Sequence, residues 1–192
     1  MTNAEINWAL VARDFLIPAS YIGVQPAYDA TYPPITLPTP TVMQIADRIC
    51  WAASVASIGN YRTSNNYTAQ YVAQQHFGTD YNQYGNLSLS MDMLRSIYGV
   101  SYQFYSNYET IDDDKIYRNL SEGYPLFGRW ETGSTAKHQT VIRGLNVTLG
   151  RLYLMDPEIG YVQASKQGGN YSYVGASGNT LTFMGYASKY YY

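Results

Sequence analysis

The sequence has one cysteine and two histidines, and these small numbers exclude several kinds of stabilising chemistry. A single thiol cannot form a disulfide bond within the chain. The same residues are too few for the Cys/His clusters that hold structural zinc. We therefore expect no disulfide and no structural zinc site, and the lone thiol of Cys50 is either core filling or a reactive group. The sequence implies no other metal and no organic cofactor.

Charge and long apolar runs are also scarce. Charged residues make up 14% of the 192 residues, and the net charge at pH 7 is -2. The chain has no cluster of lysine and arginine interleaved with aromatic residues, as nucleic-acid binding requires. It also has no run approaching the roughly 20 consecutive apolar residues of a membrane-spanning helix. We expect neither a nucleic-acid partner nor a membrane span.

The first residues lack the basic and apolar regions of a secretory signal sequence. On this basis the protein is either cytoplasmic or made with a leader that is removed. Its composition is rich in Asn, Ser, Gly and above all Tyr, which occurs 22 times, as is often found in exported bacterial proteins. We therefore expect a protein secreted or exported from a bacterium, with a cytoplasmic location as the alternative.

Residues 1–43 differ in composition from the rest of the chain. A short helix is predicted at about residues 3–15. It is followed by a segment containing Pro18, Pro26, Pro33, Pro34, Pro38 and Pro40. Proline fixes φ and removes a backbone donor, so this segment is predicted to be an extended arm over the surface or the remnant of a propeptide.

The remainder, residues 44–192, is long and apolar enough to form one domain with its own core. Apolar spacing predicts four helices, at about residues 49–61, 68–77, 90–98 and 112–123. Gly59, Gly78 and Gly99 are predicted to end the first three helices. The acidic residues 112–114 suit the positive end of the fourth helix dipole, and His76 suits the negative end of the second.

After residue 123 the pattern changes to short apolar or alternating runs separated by turns rich in Gly, Ser and Asn. Strands are predicted at about residues 124–130, 139–145, 151–155, 160–164 and 180–186. Helices followed by strands indicate an α+β domain. We expect a helical lobe at about residues 44–123 and an antiparallel β lobe at about 124–192.

Cys50 is predicted to lie in the first turn of the first of these helices. The positive end of the helix dipole and unpaired backbone N–H groups favour a thiolate there, which would activate the sulfur. The alternative is a buried structural cysteine, because free cysteines are among the most buried residues. The neighbouring residues decide between these two interpretations.

Cys50 begins the run Cys-Trp-Ala-Ala-Ser, and Gln44 stands six residues before it. In these residues the chain resembles the papain superfamily, whose nucleophile opens a helix with Cys-Trp-Ala-x-Ser and follows a glutamine at the same spacing. The resemblance implies a papain-like fold in which Cys50 is the nucleophile. It also implies that the Gln44 side chain helps to form the oxyanion hole.

The same family places a histidine on a downstream strand and an Asn or Asp on the next one. His138 stands at the head of an apolar run, with Gly144 six residues later, and Asp156 follows His138 by eighteen residues. The resemblance implies that His138 exchanges protons with Cys50 and that Asp156 orients His138. Taken singly, His138 could be a structural histidine and Asp156 a turn residue, but the ordered set favours a catalytic site.

The sequence differs from plant-type members of the family in several positions. Those proteins have Asn at the position of Asp156, a Gly-Ser-type run at Arg48 and Ile49, a Trp at Pro157, and disulfides. The chain is more similar to short bacterial relatives without disulfides, such as double-glycine leader peptidases and secreted virulence peptidases. The similarity covers about residues 43–160, which is most of the chain.

The resemblance implies a cysteine peptidase that hydrolyses protein or peptide substrates through a Cys-His-Asp triad and a thioester. One alternative keeps the fold and the thioester but passes the acyl group to an amine or another acceptor. Another is an inactive papain-like module that binds protein or carbohydrate through its many tyrosines. The complete set of four site residues favours the peptidase.

Overall fold

The computed structural model describes residues 32–106, 112–132 and 136–190. Four helices lie within these ranges: α1 (Cys50–Thr63), α2 (Ala69–Phe77), α3 (Leu87–Tyr98) and α4 (Asp113–Ser121). Each of them overlaps a helix predicted from the apolar spacing. The helix predicted at about residues 3–15 lies outside the described residues.

Capping side chains fix where three of these helices begin. Thr68 Oγ1 accepts a hydrogen bond from a backbone N–H in the first turn of α2, as Asp112 does for α4. Asn86 Oδ1 does the same for α3, which therefore begins three residues before its predicted start. These bonds satisfy backbone donors that the helix cannot satisfy itself. Gly99 ends α3 with a positive φ of 69°, as predicted.

The predicted stop of α1 at Gly59 is wrong. The helix continues to Thr63 and ends at Ser64, which has a left-handed φ of 59°. Gly59 lies inside the helix because the Tyr98 ring of α3 packs directly on its backbone. A Cβ atom at Gly59 would lie 2.4 Å from that ring. The glycine therefore permits close packing of two helices, a requirement that is set by a distant residue.

Eight strands lie within the described residues: β1 (Ile35–Thr36), β2 (Phe104–Ser106), β3 (Leu126–Thr132), β4 (Ala136–Asn146), β5 (Arg151–Asp156), β6 (Gly160–Gln167), β7 (Asn170–Val174) and β8 (Thr180–Ser188). All of their pairings are antiparallel. Five of them overlap the five predicted strands. The other three, β1, β2 and β7, were not predicted.

Six of the strands close into a barrel. The pairing runs β4–β3–β8–β7–β6–β5 and returns from β5 to β4. Strand β2 adds to one side of β8, and β1 adds to the end of β4 beyond β3. Strand β4 pairs with β3 along residues 136–142 and with β5 along residues 141–146, so His138 is held by β3 close to the point where β5 joins the sheet.

Successive side chains along a strand point to opposite faces of the sheet and pack into two different hydrophobic cores. One core surrounds α1 and includes Phe127, Val141 and Met155 from the barrel. The other includes the residues next to these, such as Leu126 and Ile142, together with residues of β5–β8 and α4. Helix α4 thus packs on the barrel core, although it falls within the range predicted as the helical lobe. The described residues form an α+β fold.

The described part of the predicted arm is attached to the barrel. Ile35 pairs with Leu145, and the Leu37 amide donates to the Arg143 carbonyl oxygen at 2.7 Å. Leu37 is also buried. The boundary at residue 43 stays a prediction, but residues 35–37 already belong to the sheet. In the part of the chain that the structure describes, no helix has the length and apolar character needed to cross a membrane.

Candidate active site

Cys50 is the first residue of α1, as predicted, and its side chain is partly exposed. Neither a capping side chain nor an acidic residue neutralises the positive end of this helix. Its dipole and its unpaired N–H groups are therefore directed at the sulfur, where they stabilise a negative charge. The position suits a nucleophilic thiolate.

Residues 51–60 of α1 are buried on all sides, which fixes the position of Cys50. Trp51 fills the core beside Cys50, and its Nε1 donates to the Gln83 carbonyl oxygen at 2.9 Å. Because close-packed interiors resist displacement, the helix holds the thiol in one place.

His138 lies near the start of β4 and is 9% exposed. It stands directly opposite Trp130 on β3, whose Nε1 donates to Thr140 Oγ1 at 2.8 Å. On the other side, β4 pairs with β5, which ends at Asp156. Two neighbouring strands therefore bring together residues eighteen positions apart, and His138 Nε2 lies 3.0 Å from Asp156 Oδ1.

The Asp156 carboxylate is fully buried and is held by three groups of the protein. Its Oδ1 meets His138 Nε2 and accepts from the Glu158 amide at 2.7 Å. Its Oδ2 accepts from the Tyr173 hydroxyl at 2.6 Å. Burial alone would raise the pKa of Asp156, but the hydrogen bonds from His138, Tyr173 and Glu158 outweigh it and hold the pKa below its usual value.

His138 is the electrostatic link between Asp156 and Cys50. Burial alone would lower the pKa of His138. Its hydrogen bonds with Asp156 and Cys50, and the negative charges of both groups, outweigh burial and raise the pKa from 6.5 to about 10. His138 is therefore protonated at neutral pH and lies between two acceptors. The structure thus brings the three predicted residues together, with His138 hydrogen-bonded to Asp156 and close to Cys50.

Gln44 lies at the edge of this group. Its backbone N–H donates to the Pro157 carbonyl oxygen at 2.9 Å, and its side-chain Nε2 donates to Glu158 Oε1 at 3.2 Å. Its Oε1 is buried without a hydrogen-bond partner among the described residues. The segment before α1 is thus attached to the turn after Asp156. The side chain of Gln44 is linked to the site by its hydrogen bond to Glu158.

A cavity of about 660 Å³ opens beside these residues. Cys50, His138 and Glu158 line it on one side. The segment from Tyr84 to Leu87, in front of α3, and the turn from Gly175 to Ser177, between β7 and β8, also line it, together with charged residues such as Arg129 and Lys137. This volume falls within the range of cavities that bind small molecules and peptide side chains.

Tyr173 and Glu158 were missed by the sequence analysis. Both bind Asp156, through a side-chain hydroxyl and a backbone amide. For Tyr173 a signal was present: the run Asn-Tyr-Ser-Tyr-Val alternates between polar and aromatic residues and follows two glycines, which is typical of a strand. Glu158 follows a proline in a turn, and the sequence offers no sign of its role.

Among the described residues, one group of three has ligand atoms close enough for a metal ion. His138, Asp156 and Glu158 offer atoms within 4.8 Å of one another. Their closeness is explained by the hydrogen bonds that join His138 Nε2 and the Glu158 amide to the same carboxylate. We assign no metal to this group.

Residues 36–178 match the family model described as the Peptidase_C39 like family. The matched range covers most of the chain and includes the site described above. The class of the protein is therefore a papain-like cysteine peptidase, a hydrolase. Within that class, the chain belongs to the Peptidase_C39 like family.

Two solved structures are similar to the chain. The peptidase domain of Streptococcus ComA, a bifunctional ABC transporter involved in a quorum-sensing pathway, is 18% identical with a TM-score of 0.50, and the match covers 74% of this chain and 96% of that one. A double-glycine motif protease from an AMS/PCAT transporter, in complex with its leader peptide, is 20% identical with a TM-score of 0.49, covering 79% and 96%. No curated protein sequence matches the chain.

Proposed function

We propose that Cys50, His138 and Asp156 form a catalytic triad that hydrolyses peptide bonds through a thioester intermediate. The observation that supports this proposal best is the His138–Asp156 hydrogen bond, which holds the imidazole close to Cys50 beside an open cavity. The groups have the types and the order that nucleophilic catalysis needs: a nucleophile, a base and a group that orients the base.

In the proposed reaction the Cys50 proton already resides on His138 in the resting enzyme, which gives a thiolate and an imidazolium. The thiolate attacks the peptide carbonyl carbon, and the carbonyl π electrons move to oxygen. The tetrahedral intermediate collapses to a thioester, and His138 gives its proton to the departing amine. His138 then takes a proton from water as the water oxygen attacks the thioester carbonyl carbon. The second tetrahedral intermediate breaks its C–S bond, which releases the acid and restores the Cys50 thiolate and the His138 imidazolium. Asp156 stabilises the imidazolium throughout.

In this mechanism the oxyanion accepts hydrogen bonds from the Cys50 backbone N–H and the Gln44 side-chain amide. Gln44 Nε2 now donates to Glu158 Oε1, so it exchanges this bond for one to the oxyanion. The exchange is favoured because the hydrogen bond with Glu158 lies at the exposed surface, where water replaces it at little cost.

We also propose that, as in papain-like proteins, the two lobes of the domain of residues 44–192 supply different catalytic residues. The helical lobe, at about residues 44–123, supplies Cys50, and the β lobe, at about 124–192, supplies His138 and Asp156. The cavity between them accepts a protein or peptide substrate. On its Tyr-rich and Asn-rich composition we propose that the protein is secreted or exported from a bacterium.

Covalent labelling tests this function. The intact protein is treated with a peptidyl epoxide at mildly acidic and neutral pH, and its mass is measured for the wild type, His138→Ala and His76→Ala. His76 is an exposed residue of α2 and serves as the matched control. We expect one adduct, on Cys50, that forms rapidly even at acidic pH in the wild type and in His76→Ala but not in His138→Ala.

The contrary result is slow labelling that is equal in all three proteins and rises only at the alkaline pH at which ordinary thiols ionise. It would show that His138 does not activate Cys50. Cleavage of a mixed peptide library by the wild type, and its loss in Cys50→Ala, then identifies the reaction as hydrolysis of peptide bonds.

A further inference from the structure

Tyr173 makes the shortest of the hydrogen bonds that Asp156 receives. Its hydroxyl donates to Asp156 Oδ2 at 2.6 Å, whereas Oδ1 is shared by His138 and the Glu158 amide. Tyr173 is 6% exposed and Asp156 is fully buried. The hydroxyl therefore satisfies a carboxylate oxygen in a region where an unsatisfied charge is costly.

The ring of Tyr173 is held in place by a neighbour of His138. It packs edge-on against Trp130, with ring centroids 4.9 Å apart and planes at 88°. Trp130 is the residue opposite His138 on β3, and it is fixed by its own hydrogen bond to Thr140. The same aromatic side chain thus packs on Tyr173, which binds the far side of Asp156, and is bonded to Thr140, two residues after His138 on β4.

We propose that Tyr173 is a positioning residue of the active site: it fixes the plane of the Asp156 carboxylate, with Oδ1 facing His138, and keeps this carboxylate ionised. This inference rests on the proposed function of the triad and adds a fourth member to it. A carboxylate held on one side only could rotate about its Cβ–Cγ bond. The bonds to Oδ2 and Oδ1 together leave one orientation.

The charges around Asp156 give the direction of the effect. His138 from β4 faces it as a cation. Two negative charges lie nearby. Cys50, as a thiolate, is on the far side of His138, and Glu158 is in the adjoining turn. Tyr173 from β7 is the uncharged donor, since burial and the Asp156 charge raise its pKa and keep the hydroxyl protonated. Loss of this donor destabilises the ionised carboxylate, so Asp156 takes up a proton at a higher pH.

Tyr173→Phe removes the hydroxyl and keeps the ring. The test is acid titration of protein that carries ¹⁵N-labelled histidine, observed by NMR in the intact chain. When Asp156 becomes protonated, the His138 Nε2–H loses its charged acceptor and its signal shifts. We expect this acidic transition to move upward by about one pH unit or more in Tyr173→Phe.

The chain supplies a matched control in Tyr171, two residues earlier on the same strand. Tyr171 is also fully buried, and its hydroxyl also donates to an aspartate, Asp113 Oδ1, at 3.0 Å. Tyr171→Phe should leave the His138 transition at the wild-type pH. The signals of His76, exposed on α2, provide an internal reference that should be the same in all three proteins.

An unchanged His138 transition in Tyr173→Phe would overturn the proposal, and so would an equal shift in Tyr171→Phe. If Tyr173→Phe does not fold, the same titration of the wild-type protein tests the proposal. The Tyr173 ¹³Cζ signal should then move at the same pH as the His138 signal, and a constant signal through that transition would contradict the proposal. The titration needs no substrate, so failure of epoxide labelling would reject the proposed function and leave this result standing.

Discussion

Ser54 Oγ donates a hydrogen bond to the main-chain carbonyl oxygen of Gln139 at 3.2 Å. Ser54 lies one turn beyond Cys50 on α1, and Gln139 directly follows His138 on β4. The Gln139 side chain is itself held, because its Nε2 donates to Ser90 Oγ of α3 at 2.9 Å. These buried bonds join the helix that carries the thiol to the strand that carries the imidazole.

Ser54→Ala is therefore expected to slow epoxide labelling of Cys50 by about tenfold, because a small shift of β4 misplaces His138. The free energy of unfolding should fall by about 1 kcal/mol through loss of one buried hydrogen bond. Ser57→Ala is the matched control. Ser57 is buried on the same helix and donates to the Pro40 carbonyl oxygen at 2.7 Å, away from β4. It should lose similar stability but keep its labelling rate, and equal labelling rates in both variants would contradict the prediction.

His138 should make the stability of the protein depend on pH. Its pKa is about 10 in the folded protein and near 6.5 when unfolded, so the folded state binds the proton more tightly. The resulting stabilisation is complete below about pH 6.5 and is lost as the pH rises through about 10. The difference in unfolding free energy between the wild type and His138→Gln should shrink across this window. Urea unfolding between about pH 6 and pH 10 measures it, and a constant difference would contradict the raised pKa.

Gln44→Ala separates the oxyanion hole from the activation of the thiol. Loss of one oxyanion donor is expected to lower the rate of peptide cleavage by about a hundredfold or more. Reaction of Cys50 with a disulfide reagent forms no oxyanion and should keep its wild-type rate. The two rates are compared in the same preparation. If they fall together, Gln44 supports the local structure rather than the transition state.

Gly144 is expected to tolerate no side chain. A Cβ atom there would lie 2.6 Å from the Ile35 carbonyl oxygen and 2.8 Å from Thr36 Oγ1, both on β1. Because the first of these contacts is to backbone, Gly144→Ala should force β1 away from β4 and destabilise the fold by about 1–3 kcal/mol. Chemical denaturation measures the change, and an unchanged midpoint would show that β1 moves freely.

Local signals in the sequence predicted a large part of the fold. Apolar spacing placed all four described helices, and glycines or acidic residues marked most of their ends. Gly59 was misjudged because its role depends on the Tyr98 ring, which packs on it from another helix. Strands β1 and β2 are two and three residues long and exist because a partner strand is nearby, so no periodicity could reveal them.

The residues of the candidate site differ in how much of their role and contacts the sequence could predict. Cys50, His138 and Asp156 were found by their order and local motifs, and the structure brings them together. The role of Gln44, suggested by its spacing from Cys50, stays a prediction, and its contact with Glu158 could not be predicted because that residue is far away in the sequence. The role of Tyr173 could not be predicted without knowing which strands pair across the barrel.

Closure of the barrel has a consequence for recognition. Extended peptides often bind proteins by adding a strand to an exposed sheet edge. In the described residues each of the six barrel strands pairs with two others, and the stretch of β4 beside the site that lacks a second partner is short: residues 136–140 pair with β3, and β5 joins at Val141. A long substrate therefore finds little sheet to extend, and we expect its affinity and selectivity to depend also on the loops before α3 and between β7 and β8, which line the cavity.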